Sequence, residues 1–387
     1  MSQQASKWTK PIPFIDLAAQ RQRIGSSIEA AMARVVEHGQ FIMGPEIREL
    51  EQQLAAFCGA KHALTCSSGT DALALVIMGL GVRPGQAVIC PSFTFCATAE
   101  VVAWAGATPV FCDVDPSAFN ICPRSMQNAI EKARNDGLEP VGVIPVDLFG
   151  APADYDSIID ITDNEGMWIL ADAAQSFGAT YKGRSIGTIG KATATSFFPA
   201  KPLGCFGDGG AVLTDDEELA DRMRSIRVHG QGAHKYDNVR IGMAARMDTI
   251  QAAVLIEKLK VFPEEIEARQ EVANRYDVQL NGSCEVPEIA SECVSVWAQY
   301  TVKVNPGLRD AIQSELKAKG IPTQVYYPLP LHLQKAYASC PRAALGLSAS
   351  ETLSNSVLSL PMHPYLEAEV QDFISASLVA AISNCRG

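Results

Sequence analysis

Ser196-Phe-Phe-Pro-Ala-Lys201-Pro-Leu-Gly-Cys-Phe-Gly-Asp-Gly-Gly210 follows a short β-rich run and sets one lysine in a glycine-rich turn. Upstream, the apolar run Met167 to Ala171 ends on Asp172, 29 residues before that lysine. A lysine and a buried aspartate are what pyridoxal 5'-phosphate (PLP) requires of a protein. The amine forms an imine with the cofactor aldehyde, and the carboxylate keeps the pyridine nitrogen protonated so that the ring acts as an electron sink.

The neighbouring runs set the fold class. Ala87–Cys90, Thr108–Cys112, Val141–Val146, Trp168–Ala171 and Thr193–Phe198 are short, nearly continuous apolar segments separated by helical stretches. Such strands, alternating with helices, predict an α/β fold with a mostly parallel central sheet covered on both faces. Ligands of these sheets gather at the carboxyl ends of the strands, where Asp172, Ser196 and Lys201 stand. Helical patterns follow from Glu217 to Arg227 and from Thr249 to Arg275. A strand at Tyr300–Val304, a helix at Gly307–Lys319 and a Pro-rich segment at Pro322–Leu333 predict a smaller α+β unit. The expected division is a large cofactor-binding domain over 12–265 and a small C-terminal domain over 266–387.

Composition narrows the function classes. A net charge of -11 over 387 residues argues against non-specific nucleic-acid binding. The N-terminus is polar, unlike a signal peptide, and no apolar run nears the ~20 residues that span a bilayer. Eleven cysteines without a CxxC pair argue against a disulfide framework or a metal site. A cytoplasmic protein is expected.

The site residues each face a plainer alternative. The flanks of Lys201 are apolar or tiny, so its amine is expected in a desolvated pocket that lowers its pKa. Asp172 is either the pyridinium partner or the cap of a following helix. Gln175 is placed to donate to the phenolic oxygen of the cofactor, or to complete a capping box. Ser68-Gly-Thr70 opens a helical run, and the free N–H groups of a helix start suit a phosphate, with Ser196 as a second ligand. Phe95 is the ring-stacking candidate, while Phe93 also suits core packing. His229, Arg246, Tyr326, Tyr327 and His332 lie in polar loops suited to a phosphorylated or nucleotide-linked sugar. The alternative for Arg246 is an ion pair with Asp248.

Phe14-Ile-Asp-Leu17, Gly39-Gln-Phe-Ile-Met-Gly44, Ser68-Gly-Thr-Asp-Ala72, Asp172-Ala-Ala-Gln175, Ser196-Phe-Phe-Pro-Ala-Lys201, Gly207-Asp-Gly-Gly210, Arg246-Met-Asp-Thr-Ile-Gln-Ala-Ala253 and Tyr327-Pro-Leu-Pro-Leu-His332 occur in this order. In that order, from about residue 12 to 370, they resemble the DegT/DnrJ/StrS-type sugar aminotransferases. The resemblance implies PLP fold type I, as in aspartate aminotransferase, and a homodimer with its site at the subunit interface. It implies amino transfer from L-glutamate to a keto nucleotide-sugar, with pyridoxamine 5'-phosphate as the intermediate cofactor form. By matching position Lys201 is the imine-forming lysine and Asp172 the pyridinium partner. Gln175 matches the residue near the ring, Phe95 the stacking aromatic, and Gly69, Thr70 and Ser196 the phosphate ligands.

The run from Lys201 to Gly210 is most similar to members acting on C3 of UDP-2-acetamido-2-deoxy-3-oxo-D-glucuronate, in O-antigen and surface-polysaccharide synthesis. Two positions depart from the pattern. Ala244 stands where many relatives carry an asparagine that reaches the phosphate across the dimer, and Tyr326 where close relatives often have histidine. Other readings compete. The first is an aminotransferase acting on C3 or C4 of another dTDP-, UDP- or GDP-linked keto-deoxysugar. Related PLP sugar dehydratases replace the lysine by histidine, and a cysteine desulfurase needs a cysteine in an exposed, basic loop. A non-catalytic regulator would have no need of the intact lysine, aspartate and phosphate-loop set.

Overall fold

The computed structural model describes residues 10–386. The apolar runs form β1 (His62–Cys66), β2 (Gln86–Pro91), β3 (Thr108–Cys112), β4 (Glu139–Val143) and β5 (Trp168–Asp172). Two short strands follow, β6 (Thr180–Tyr181) and β7 (Arg184–Ser185), then β8 (Ala192–Ser196) and β9 (Gly210–Thr214). The main sheet has seven strands in the order β1-β9-β8-β5-β4-β2-β3. β9 pairs antiparallel with both β1 and β8, and the β2–β3, β2–β4, β4–β5 and β5–β8 pairs are parallel. The reason is the connection: a parallel return needs a crossover, usually a helix, and the segment from Phe197 to Gly209 contains none. The lysine therefore sits in a broad hairpin at the carboxyl end of β8.

β4 stops at Val143, short of the expected Val146. Pro145 has no N–H for the ladder, although Val146 regains a parallel bridge to Asp172. The helix Gly69–Gly79 is capped by the Ser68 side chain, which accepts from Asp71 N at 3.0 Å. Its residues from Ala72 to Ile77 are all buried, because the helix lies against β8 and β9 on one side and further helices on the other.

The second unit has its own core, formed by residues such as Tyr276, Tyr300, Leu358 and Ile374. β10 (Cys293–Val294) joins β6 and β7, and β11 (Tyr300–Lys303) pairs with β12 (Val357–Leu360). The expected division at 265/266 falls inside one continuous helix, Thr249–Leu280. Leu255, Leu259 and Phe262 of that helix pack with the large unit, whereas Val272, Tyr276 and Leu280 join the second core. Among the described residues no helix is long and apolar enough to cross a membrane.

Candidate active site

The Lys201 loop is closed by three backbone bonds: Phe197 N to Gly209 O (2.7 Å), Lys201 N to Phe198 O (2.8 Å) and Cys205 N to Phe197 O (2.8 Å). Phe197, Leu203 and Cys205 are buried beneath it. Among the described residues the lysine amine has no hydrogen-bond or ion-pair partner. Burial lowers its pKa to about 8, against the opposing pull of the Asp172 charge. Because the folded-state value is lowered, the cost of folding around the ammonium is present below about 8. It disappears as pH rises toward the ordinary lysine value of ~10.4. The rate at which apoprotein captures PLP is accordingly expected to rise with pH and level off above about 8. A rate that instead keeps climbing to ~10.4 in stopped-flow absorbance would mark an ordinary exposed lysine.

Asp172 ends β5, in register with Ala194 of β8. No helix follows it, so the capping alternative falls away. Its carboxylate accepts from Thr98 Oγ1 at 2.9 Å and from Ala174 N at 3.1 Å. Burial pushes its pKa up, and these two donors and the Lys201 charge hold it down. A buried carboxylate in this balance is stabilised by a cationic ring nitrogen.

Gln175 reaches two elements at once: its amide oxygen accepts from Phe149 N at 2.7 Å and its amide nitrogen donates to the Tyr327 hydroxyl at 3.2 Å. The Tyr327 ring lies 6.1 Å from Phe93 and 6.4 Å from Phe95, centroid to centroid. Phe93 is core, 1% exposed, while Phe95 is 55% exposed and free to cover a planar ligand. Tyr326 is half-buried beside Phe14.

Ser68, Gly69 and Thr70 start the helix Gly69–Gly79, whose first N–H groups have no intrahelical acceptor. A Cβ on Gly69 would stand 2.6 Å from the Ser196 Cβ, so glycine alone lets the helix start meet Ser196. Gly69→Ala is expected to lower stability by about 1–3 kcal/mol through overpacking, and to weaken PLP binding. Thermal melts and a PLP titration check it, and unchanged affinity would remove the helix start from the phosphate site.

Arg246 follows Ala245, whose carbonyl accepts from Ser67 N at 3.2 Å, which puts it beside the helix start. It is half-buried and, among the described residues, has no ion-pair partner, Asp248 included. His229 is exposed, with its N–H bonded to Met243 O, and the adjacent Val228 bridges Ala244. His332 is not brought into the group. It is buried, with Nδ1 2.6 Å from Ser92 Oγ and Nε2 3.1 Å from Glu351.

Thr98 and Asp147 escaped the sequence reading. Asp147 is fully buried and accepts from Ala153 N (2.8 Å), Tyr155 OH (2.9 Å) and Ser176 Oγ (2.8 Å), while its own N–H donates to Asp172 O. Burial pushes its carboxyl up to about 7. It braces the turn from Asp172 to Ser176, and only its apolar flanks, Val146 and Leu148, hinted at it in the sequence.

These residues fit PLP: an amine just past β8, a buried carboxylate at the end of β5, an open aromatic just past β2, and a helix start that meets Ser196. With the mostly parallel sheet, they define a PLP-dependent enzyme of fold type I. The chain belongs to the DegT/DnrJ/EryC1/StrS aminotransferase family, whose pattern matches residues 22–379. It is 46% identical to the UDP-2-acetamido-2-deoxy-3-oxo-D-glucuronate aminotransferase of Pseudomonas aeruginosa, over 95% of this chain and 99% of that protein. The crystal structure of a DegT DnrJ EryC1 StrS aminotransferase from Brucella abortus superposes with a TM-score of 0.93 at 49% identity. That likeness covers 95% of this chain and 98% of the other. DesV of S. venezuelae, solved in complex with a ketimine intermediate, is 38% identical with a TM-score of 0.89, covering 97% of this chain and 98% of that one.

Proposed function

We propose that this chain uses PLP to transfer the amino group of L-glutamate to C3 of UDP-2-acetamido-2-deoxy-3-oxo-D-glucuronate, in surface-polysaccharide synthesis. The observation that carries this reading is its 46% identity, nearly end to end, with an enzyme named for that substrate. The buried Lys201 amine, unpartnered among the described residues and within the influence of the Asp172 charge, supports it.

When bound, PLP supplies the electron sink for the electrons released at the reacting carbon. Lys201 Nζ holds the cofactor and, once freed, carries the proton to and from the reacting carbon. Asp172 keeps the proton on the ring nitrogen, and Thr98 and Ala174 N orient its oxygens. Ser68, Gly69, Thr70 and Ser196 bind the phosphate, Phe95 covers the ring, and Gln175 directs its amide toward the phenolic oxygen. Arg246, Tyr326, Tyr327 and His229 receive the nucleotide-sugar, with Arg246 for an anionic group. His332, held by Ser92 and Glu351, braces the segment that carries Tyr327. The units at 12–265 and 266–387 act as large and small domains.

The working form in this reading is a cytoplasmic homodimer with the sites at its interface. Trp104 (60% exposed) and Ile241 (85% exposed) line one groove, and Phe41 and Ile42 are also open, which is apolar surface suited to a second copy. The experiment that decides the substrate is mass spectrometry of products from a panel of UDP-, dTDP- and GDP-linked keto-sugars with L-glutamate. Amination of a 4-keto sugar in preference to the 3-keto uronate would overturn the C3 assignment.

A further inference from the structure

Lys258 lies on the helix Thr249–Leu280 and is only 2% exposed. A buried ammonium is costly unless something on the protein compensates it. No carboxylate lies within ion-pair distance of it among the described residues. Its Nζ instead donates to the Gly204 carbonyl at 2.6 Å and lies 4.7 Å from the Phe206 ring centroid. Both partners belong to the Lys201 loop.

Gly204 is where that loop crosses itself. A Cβ there would stand 2.6 Å from Pro199 O and 2.7 Å from Phe198 O, so the two limbs touch backbone to backbone. Phe198 O also accepts from Lys201 N. The chain from Phe198 to Gly204 is thus a closed ring with Lys201 on its rim and the Lys258 ammonium at its neck. Among the described residues the Lys201 amine has no hydrogen bond to aim it, so its direction follows the ring. Gln251 of the same helix ties the far limb of the loop, its Oε1 accepting from Phe206 N at 2.8 Å and its Nε2 donating to Phe206 O at 3.4 Å. The Lys258 bond is the one at Gly204, where the limbs cross, and it fixes a direction there that the apolar contacts beneath Leu203 and Cys205 do not.

The same helix face carries the support further. Residues seven and eleven positions beyond Lys258 lie on its side of the helix, and these are Glu265 and Arg269. Glu265 accepts from Gln20 at 2.9 Å and from the Tyr365 hydroxyl. Arg269 donates to Trp297 O at 3.1 Å and Met362 O at 3.4 Å, both in the second unit. One continuous helix, with Pro263 in its interior, therefore links the lysine loop to the C-terminal part of the chain.

We propose that Lys258 is a positioning residue for Lys201: its buried ammonium fixes the Gly204 carbonyl and thereby the direction in which the Lys201 amine faces Asp172. This rests on the PLP-transferase reading, and wild-type holoenzyme tests that reading separately by turning yellow with PLP and bleaching with L-glutamate. The test of Lys258 is Lys258→Met holoenzyme, which keeps the aliphatic stem and loses the donor. It is expected to stay yellow, with the pH midpoint of the yellow band moved by about a unit. Bleaching by glutamate should slow roughly 10–100-fold, the scale of a misplacement of about an ångström, with the KM for the nucleotide-sugar little changed. A variant with a lower melting temperature but unchanged band midpoint and bleaching rate would overturn the proposal, because a purely structural lysine moves only the first. Should Lys258→Met not fold, Lys258→Gln decides: its shorter neutral amide must also shift the midpoint, and an unshifted midpoint overturns the proposal.

Discussion

Lys201→Ala is expected to remain colourless after incubation with PLP and to lose amino transfer by roughly 10⁴-fold or more, the upper end for a positioned acid–base group. The loss is large because one nitrogen does two tasks, holding the cofactor and moving the proton at the reacting carbon. The substitution removes no hydrogen bond among the described residues, where the amine has no partner. Apoprotein stability should therefore hold or rise, with any gain present below about 8, where the wild type folds around a disfavoured ammonium. Lys201→Arg should fail as completely, because a guanidinium stays protonated and forms no imine. Absorbance spectra and product mass spectrometry check both variants. Turnover within tenfold of wild type would move the reacting amine elsewhere, Lys258 being the other lysine whose pKa burial lowers to about 8.

Asp172→Asn comes second in size. The amide keeps the shape of the carboxylate but cannot hold a proton on the ring nitrogen, so kcat should fall by roughly 10²–10³-fold, as for loss of one preorganised electrostatic contact. The asparagine also turns one N–H toward Thr98 or Ala174 N, where the carboxylate now accepts from both. A second effect separates this role from general damage. The Asp172 charge raises the Lys201 pKa, so its loss leaves burial unopposed and drops the amine below about 8. The pH profile of PLP capture should shift to lower pH while the variant still binds PLP. A variant with wild-type kcat, or with an unmoved capture profile, would show that Asp172 faces neither ring nor amine.

Much of this site was legible because its residues are local in sequence. Lys201 announced itself by its glycine-rich turn, Asp172 by ending an apolar strand, and Ser68-Gly-Thr70 by opening a helical run. Each signal spans fewer than about ten residues, within reach of turn, strand and capping chemistry. The direction of β9 was less accessible, since it depends on the absence of a crossover helix between Ser196 and Gly210. Asp147 carried no motif at all, and its three donors come from separate positions, two of them beyond its own turn. His332 reads from its sequence as a loop histidine, yet Ser92 and Glu351, 240 and 19 residues away, take both its nitrogens.

The sequence by itself determined the chemistry: which lysine, which carboxylate, which helix start, and the strand–helix alternation that lines them up at one sheet edge. Those follow from local periodicity and from what residues at strand ends are for. Only the tertiary structure decided which polar groups are left unpartnered and which are taken. Among the described residues the Lys201 and Arg246 side chains have no partner, and His332 and Lys258 are engaged. The physical reason is that desolvation and hydrogen-bond satisfaction depend on neighbours far apart in the chain, which only the packed fold brings within three ångströms of one another.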